Sequence, residues 1–213
     1  MIHSMLLSKL EKRIIEISYK NKLSHLSSCL TTLPILLDIY ENKKIDEKLV
    51  LSSGHAGLAL YVVLEHYYQI DAEQLLNDFG IHPYKDISRY CYVSSGSLGL
   101  GILIATGMAL ANKNKNIYCI ISDGECAEGS VWEALRFANE KKLNNLKIYV
   151  NINGFSAYDK IDKSYLINRL TIFLPEINIY ITNSYRFDFL KGLDAHYHII
   201  TEPEFNSIKF GIY

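Results

Sequence analysis

The sequence predicts an α/β fold, a parallel sheet flanked by helices, because strand-like and helix-like segments alternate in its second half. A short apolar strand at 117–122 leads into a polar loop at 123–129, and a helix is predicted over 130–142. A second strand at 146–151 ends in another polar segment, at 153–158. This order of elements is typical of parallel sheets. Since ligands of such sheets bind at the carboxyl ends of the strands, the two polar segments are the candidate binding loops.

Further helices are predicted around this region, because apolar residues recur there at three- and four-residue spacing. The helix that begins near residue 28 contains Pro34, either near its start or at a kink. The segment AGLALYVVLEHYYQ is apolar on nearly all sides, so we expect it to form a buried helix. These predicted helices cover residues 5–19, 28–41, 56–69, 102–111 and 164–173, and one further strand covers 177–182.

Length and composition limit the class of protein. A chain of 213 residues with 49% hydrophobic residues is expected to form one packed domain. The 22 basic and 23 acidic residues give a net charge of −1, which argues against a nucleic acid or an anionic membrane as partner. No apolar run reaches the roughly 20 residues that a membrane span requires, and no signal-peptide pattern opens the sequence. The four cysteines form no C-x-x-C pair, so a reducing, cytoplasmic setting is expected.

The ends of two predicted strands carry groups that suit a magnesium-bound phosphate. Asp123 and Gly124 follow the first strand, and Asn153 follows the second. Carboxylate, amide and backbone carbonyl oxygens are ligands that Mg²⁺ accepts, and a glycine allows a diphosphate to approach the backbone. Asp-Gly and Asn-Gly are also common turn dipeptides. These residues alone therefore leave open whether the loops are a metal site or ordinary turns.

A longer string resembles a known family. Residues 122–154 read SDGECAEGSVWEALRFANEKKLNNLKIYVNING, which is similar to the thiamine diphosphate motif of the transketolase family, Gly-Asp-Gly followed downstream by Asn. Upstream, VLSSGHAGLALY at 50–61 resembles the family's histidine-containing segment, and SSGSLGLGI at 94–102 resembles its cofactor-facing glycine loop. The resemblance covers residues 20–160 and implies a thiamine diphosphate-binding fold, with residues 1–213 as a single diphosphate-binding domain.

The resemblance implies roles for individual residues. Asp123 and Asn153 would ligate Mg²⁺ through their side chains, and Phe155 through its carbonyl oxygen. Thiamine diphosphate would be contacted by residues from several of the motifs. These cofactor-binding residues are His55, Gly96, Leu98, Asp123, Gly124, Asn153 and His196.

Three residues are expected to take part in catalysis. By the same resemblance, His25 and His82 would face the hydroxyl groups of the sugar, and Glu128 would link paired active sites across a contact between like chains. That homodimer contact is expected in the region 123–142.

The sequence departs from the family pattern in four places. Ser122 replaces the first glycine of Gly-Asp-Gly, which is acceptable if its φ angle is negative. Leu26 replaces the proline of a GHPG motif, and Ile81 replaces the glycine of a GHP motif. The segment 160–185 looks shorter than in the family.

The resemblance also implies a partner. In the family, a pyrimidine-binding domain follows this one, whereas the sequence stops at Tyr213. We therefore expect the diphosphate- and Mg²⁺-binding subunit of a split transketolase-like enzyme, inactive without a separate C-terminal transketolase-like subunit. Its reaction would transfer a two-carbon ketol unit between sugars or sugar phosphates.

Two other interpretations stay open. The chain could belong to another thiamine diphosphate enzyme, of the dehydrogenase E1 or the deoxyxylulose-phosphate-synthase type. It could instead be a non-catalytic remnant that serves as a protein-interaction subunit. A distant third, an unrelated Mg²⁺-dependent phosphate binder, would need a G-x-x-x-x-G-K-[ST] loop, which the sequence lacks.

Overall fold

The computed structural model describes residues 2–183 and 187–209. Within these ranges a parallel sheet has its strands in the order β1-β2-β3-β4. The strands are β1 Lys48–Leu51, β2 Ile117–Ser122, β3 Leu146–Ile152 and β4 Asn178–Ile181. The predicted α/β class with a parallel sheet is therefore confirmed.

The helices that surround the sheet match the predicted ones to within three residues at each end. The structure adds the strand β1 and two helices, Ala72–Phe79 and Glu202–Lys209, that were not predicted. In the described part of the chain the α-helices are α1 Ile2–Lys20, α2 Leu26–Asn42, α3 Gly57–Tyr68, α4 Ala72–Phe79, α5 Leu100–Ala111, α6 Gly129–Glu140, α7 Lys163–Phe173 and α8 Glu202–Lys209.

The sheet separates two apolar cores. Since successive strand residues point to opposite faces, Leu51 and Ile120 contact one core, whereas Val50 and Cys119 contact the other. The first core is built with α1, α2 and α3, and the second with α5, α6 and α7. Helices on both faces explain why β2 is buried along its whole length. The first eight residues of α3 are buried too, which confirms the prediction from its apolar sequence.

Pro34 lies in the interior of α2, not near its start, and the helix continues past it to Asn42. A proline there removes one backbone hydrogen bond of the helix. The residues beside it, Leu33 and Ile35, are fully buried. Tertiary packing of this apolar helix therefore offsets the local cost.

The last described segment, 187–209, returns to the first core. Phe187, Leu190 and Ile200 are buried there, and the ring of Phe205 in α8 stacks on Tyr19 of α1 at a centroid distance of 4.2 Å. This return brings His196 to the start of α2. Of the segment that looked short, residues 160–183 contain α7 and β4, whereas residues 184 and 185 lie outside the described residues. No helix in the described ranges is both long enough and apolar enough to span a membrane.

Candidate active site

The parallel register of β2 and β3 brings Asp123 and Asn153 to the same edge of the sheet. Ser122 pairs with Asn151 as the last rung of the ladder; Asp123 follows Ser122 directly, and Asn153 lies two residues after Asn151. The backbone N–H of Asp123 donates to the Asn151 carbonyl at 3.0 Å, and Asp123 Oδ2 accepts from the Gly154 N–H at 2.6 Å. The carboxylate therefore joins the two strand ends.

The turn interpretation is correct for part of this geometry. Asn153 Oδ1 accepts from the Phe155 N–H at 2.9 Å, and Gly154 has a φ of 95°. An asparagine that bonds its own backbone two residues on, followed by a glycine at positive φ, is a common turn. The same residues thus form a turn and line a site.

The carboxylate of Asp123 is buried and forms no ion pair among the described residues. Its residue is 2% exposed, and burial raises its pKa to about 6 against the opposing effect of the Gly154 and Gly124 N–H groups. A buried anion is costly unless a cation or several hydrogen bonds compensate it. The hard oxygen atoms of Asp123 and Asn153 therefore fit a small divalent cation.

Magnesium would have few side-chain ligands at this position. In the described ranges, no group of three or more His, Cys, Asp or Glu side chains is arranged to hold a metal ion. Mg²⁺ usually keeps several waters and binds one or two carboxylates together with phosphate oxygens. The single carboxylate of Asp123 is compatible with that pattern, and the remaining ligands would come from oxygen atoms of other kinds.

Histidines from three separate segments meet beside this edge. The ring centroid of His25 lies 4.6 Å from that of His196 and 5.5 Å from that of His55. Burial, reinforced by the neighbouring histidines, lowers the pKa of His25 to about 4 and the pKa of His55 to about 3. Burial also lowers the pKa of His196. The imidazoles are therefore neutral near pH 7, and each can donate one hydrogen bond and accept one.

The backbone of His25 contributes to this cluster. His25 precedes α2 with a φ of 63°, and its N–H donates to the His196 carbonyl at 3.1 Å. Its Nδ1 atom is buried and has no hydrogen-bond partner among the described residues. A buried ring nitrogen without a partner is compatible with a ligand that would bond it.

The glycine loop at 94–99 passes close to two of the histidine segments. Gly96 has a φ of 135°, and a Cβ atom there would lie 3.0 Å from the His82 ring. A Cβ atom on Gly54, next to His55, would lie 2.7 Å from the Gly96 nitrogen. Both glycines are thus required for close approach, and they bring His55 and His82 to the loop.

One open cavity of about 440 Å³ lies between these elements. Its volume is within the range of ordinary small-molecule sites. All of the residues predicted to be functional line it, although they come from distant parts of the chain. They are His25, His55, His82, Gly96, Leu98, Asp123, Gly124, Glu128, Asn153, Phe155 and His196.

The cavity also has lining residues that were not predicted. Ser28 lies in the first turn of α2, and Tyr197 follows His196, with its ring 5.6 Å from that of His25. The segment 156–159 lines the cavity after Phe155, and its Tyr158 is 81% exposed at the rim. For Tyr197, the position directly after the predicted residue His196 is the sequence signal that points to it.

The departures from the family pattern are accommodated in the structure. Ser122 ends β2 without a positive φ, and its hydroxyl accepts from the Glu125 N–H at 3.2 Å. Leu26 is buried in the first core as the first residue of α2. Ile81 has its carbonyl against Gly57. His25 and His82, which adjoin Leu26 and Ile81, still line the cavity.

Glu128 lies at the rim, immediately before α6, and is exposed in the single chain. Its predicted role at a contact between like chains therefore stays a prediction.

Comparison with known protein families and sequences gives a consistent result. The family model described as 1-deoxy-D-xylulose-5-phosphate synthase matches residues 3–171. The chain is 34% identical over 167 residues to one of the subunits of the apulose-4-phosphate transketolase from Phocaeicola vulgatus, covering 68% of this chain and 58% of that protein. It is 39% identical over 117 residues to SqwG, which is a subunit of the 6-deoxy-6-sulfo-D-fructose transketolase from a Clostridium species, covering 50% of this chain and 42% of that protein.

Other relatives are covered over a smaller share. Human transketolase is 38% identical over 125 residues, which is 54% of this chain and 20% of that protein. Among solved structures, transketolase from Campylobacter jejuni superimposes with a TM-score of 0.73 at 20% identity, covering 96% of this chain and 42% of that chain. The chain therefore spans less than two thirds of the length of each of these relatives, and at 20% identity the structural match concerns the fold.

Proposed function

Because the chain belongs to the transketolase family and corresponds to its N-terminal domain, we propose that it is the diphosphate- and Mg²⁺-binding subunit of a split transketolase-like enzyme. This enzyme would transfer a two-carbon ketol unit between sugars or sugar phosphates. The observation that carries the proposal is that one cavity, at the carboxyl ends of β2 and β3, is lined by every residue that the family motifs single out.

In this proposal, the strand ends hold the charged part of the cofactor. Asp123 and Asn153 provide side-chain oxygens to Mg²⁺, and Phe155 provides its carbonyl oxygen. Gly124 leaves the backbone open to the diphosphate, since a Cβ atom there would already lie 3.3 Å from Ser156 Cα. Bound thiamine diphosphate would supply the electron sink that cleavage of a carbon–carbon bond requires.

The histidines act as neutral hydrogen-bonding groups. His25 and His82 would exchange hydrogen bonds with sugar hydroxyls, His55 would lie beside the diphosphate, and His196 would lie over the cofactor. The lowered pKa values of His25 and His55 support this role, because a neutral imidazole both donates and accepts at pH 7.

A separate chain would supply the pyrimidine side of the site. Two relatives are themselves subunits, one of an apulose-4-phosphate transketolase and the other of a 6-deoxy-6-sulfo-D-fructose transketolase. The exposed rim residues Glu128 and Tyr158 leave the cavity accessible to such a partner.

The four cysteines are free and buried, in agreement with a reducing cytoplasm.

A contact between two copies of this chain would adjoin Glu128. Gly99 packs against it, since a Cβ atom on Gly99 would lie 2.9 Å from Glu128 Cβ. Leu100, Leu103 and Ile104 follow in α5 and are exposed although apolar. Exposed apolar side chains beside the predicted 123–142 contact support an interface there.

The alternative reaction is that of a deoxyxylulose-phosphate-synthase-type enzyme, which the description of the matching family model favours. The variants His25→Ala and His82→Ala distinguish this reaction from ketol transfer. If the site handles a ketose donor as proposed, each variant loses ketol transfer in the complete enzyme and retains cofactor binding. Unchanged turnover would remove the argument for transketolase activity.

The first test uses Trp132, the one tryptophan of the chain, as a reporter. Its indole N–H donates to the Cys126 carbonyl at 2.9 Å, in the turn that begins at Gly124. We expect Trp132 fluorescence to change saturably with thiamine diphosphate plus Mg²⁺. Asp123→Ala should weaken this binding by about a hundredfold or more, because a buried metal ligand is lost.

Asp46→Ala is the matched control, because Asp46 is exposed and precedes β1 at the opposite end of the sheet. It should bind like the wild type. If the wild-type chain fails to bind the cofactor even with its cognate second subunit present, the interpretation as a non-catalytic interaction subunit would replace the proposal.

A further inference from the structure

Glu125 adjoins the candidate site but is not part of the cavity lining. It is 0% exposed, inside the short 3₁₀ turn Gly124–Ala127. Its Oε1 atom accepts two hydrogen bonds, from the Ser52 hydroxyl at 2.5 Å and from the Gly99 N–H at 2.7 Å. Ser52 follows β1, and Gly99 ends the glycine loop. A single buried carboxylate oxygen therefore ties two other segments to the turn that holds Asp123.

These bonds continue into the start of α5. The Ser52 hydroxyl, while donating to Glu125, accepts from the Ile102 N–H at 3.0 Å. The Glu125 N–H in turn donates to the Ser122 hydroxyl at the end of β2. The ends of β1 and β2 and the first turn of α5 are thus held by one connected set of hydrogen bonds.

Gly99 is held on both of its backbone groups. Its N–H donates to Glu125, and its carbonyl accepts from the Ser130 hydroxyl at 3.1 Å. Its φ is 81°, and a Cβ atom there would lie 2.2 Å from Ser130 Oγ. This contact fixes the end of a loop whose Gly96 and Leu98 line the cavity immediately upstream.

We propose that Glu125 is a positioning residue that sets the distance between the Gly96–Leu98 loop and the Asp123–Gly124 turn. On the proposed function, these two elements contact different parts of one ligand: the backbone of Gly96 and Leu98 faces the aminopyrimidine, which the separate chain holds from the other side, and the Asp123–Gly124 turn binds the diphosphate. A ligand that bridges two elements binds tightly only if their separation is fixed beforehand. Glu125 fixes it through Gly99 and Ser52 without touching the ligand.

The bonding pattern of Glu125 provides matched variants. Its Oε2 atom is buried and has no hydrogen-bond partner among the described residues, so both bonds are made by Oε1. Glu125→Gln keeps an acceptor oxygen for Ser52 and Gly99. Glu125→Met has a similar shape and removes both acceptors.

Hydrogen exchange on the full chain tests the positioning directly. We expect peptides over 96–102 to exchange about tenfold faster in Glu125→Met than in the wild type, and Glu125→Gln to retain the wild-type rate. Peptides over β3 should be unchanged in both variants. Equal acceleration in β3 would indicate a merely structural role, and unchanged exchange at 96–102 would overturn the proposal as well.

Binding distinguishes the two ends of the ligand. With Mg²⁺ present, Glu125→Met should bind thiamine diphosphate about tenfold more weakly than the wild type, while inorganic pyrophosphate binding stays within about twofold. Equal losses for both ligands, or no loss for either, would overturn the role in ligand positioning. A wild-type chain that binds neither ligand would contradict the proposed function, and the exchange rates would still decide whether Glu125 holds the loop.

Discussion

Burial leaves Asp123 charged and the histidines of the cavity uncharged at neutral pH. It raises the pKa of Asp123 to about 6, so that this carboxyl ionises only above that pH. It lowers the pKa of His25 to about 4, and that of His55 further, so these rings stay uncharged. Near pH 7 the buried Asp123 is therefore an anion beside neutral imidazoles. An isolated buried anion favours a cation, and uncharged rings favour hydroxyl groups.

The lowered pKa of His55 predicts an acid-labile contribution to stability. The pKa of this ring is 6.5 in the unfolded chain and about 3 in the folded one. The unfolded chain therefore takes up a proton first when the solution is acidified. This contribution is complete above 6.5 and is lost as the pH falls from there toward 3. When the pH is lowered from about 7.5 to about 5, the unfolding free energy of His55→Gln should decrease by about 1–2 kcal/mol less than that of the wild type.

Urea unfolding of the metal-free chain at the two pH values measures this difference. His66→Gln, in the last turn of α3 and outside the cavity, is the control and should follow the wild type. An identical pH dependence in wild type and His55→Gln would refute the assignment of acid sensitivity to this ring.

At the scale of elements, contacts between helices and strand ends decide where the histidines lie. Asn151, in β3, donates to the Thr31 hydroxyl at 3.0 Å and to the Thr32 hydroxyl at 3.1 Å, both in α2. These buried bonds fix α2 against β3, and with it His25 at the start of the helix. The distance from His25 to Asn153 is therefore a property of helix–sheet packing.

Two glycines of α5 should respond oppositely to alanine. A Cβ atom on Gly101 would lie 2.6 Å from Ser52 Cα, so α5 and the end of β1 would have to separate. We expect Gly101→Ala to destabilise the chain by about 1–3 kcal/mol. Gly107 has nothing within 4 Å of such an atom, so Gly107→Ala should stabilise by about 0.5–1 kcal/mol through helix propensity. Chemical unfolding of both variants measures the difference, and equal effects would contradict the close approach.

At the scale of the whole molecule, the three layers leave apolar surface on the outer face of α5. Leu103 is 38% exposed there although the helix covers the second core with its other side. Leu100 and Ile104 are also exposed in this helix, which begins after Gly99, the residue that packs against Glu128 at the rim of the cavity. If a second copy packed on this face, the cavities of both copies would lie close to the interface between them.

The predicted contact between like chains can be tested by charge insertion. Leu103→Glu should shift the chain from dimer toward monomer in sedimentation velocity, because burying an unpaired carboxylate is costly. Met5→Glu is the control, since Met5 is 69% exposed on α1, which packs on the opposite face of the sheet. A wild-type chain that is monomeric, or a Leu103→Glu variant that remains as dimeric as the control, would contradict the contact.

Each element that sequence reasoning missed was missed for a specific reason. β1 has four residues, which is too short for a period to be visible. α8 has no buried residue among those described, so it lacks an apolar stripe. The sequence does contain a signal for α4, because an aspartate, Asp71, stands immediately before it and is a favoured N-cap residue. In the structure the Asp71 side chain accepts from the Glu73 and Gln74 N–H groups.

The sequence by itself determined the α/β class and the two polar strand ends, because strand periodicity and the residues that follow a strand are local properties. Asp123 and Asn153 could be proposed together since parallel strands end at one edge. The tertiary structure alone decided that His25, His55 and His196 meet, that Glu125 is buried, and which pKa values shift. Those properties depend on helix packing and on desolvation, which arise only when distant segments exclude water from one another.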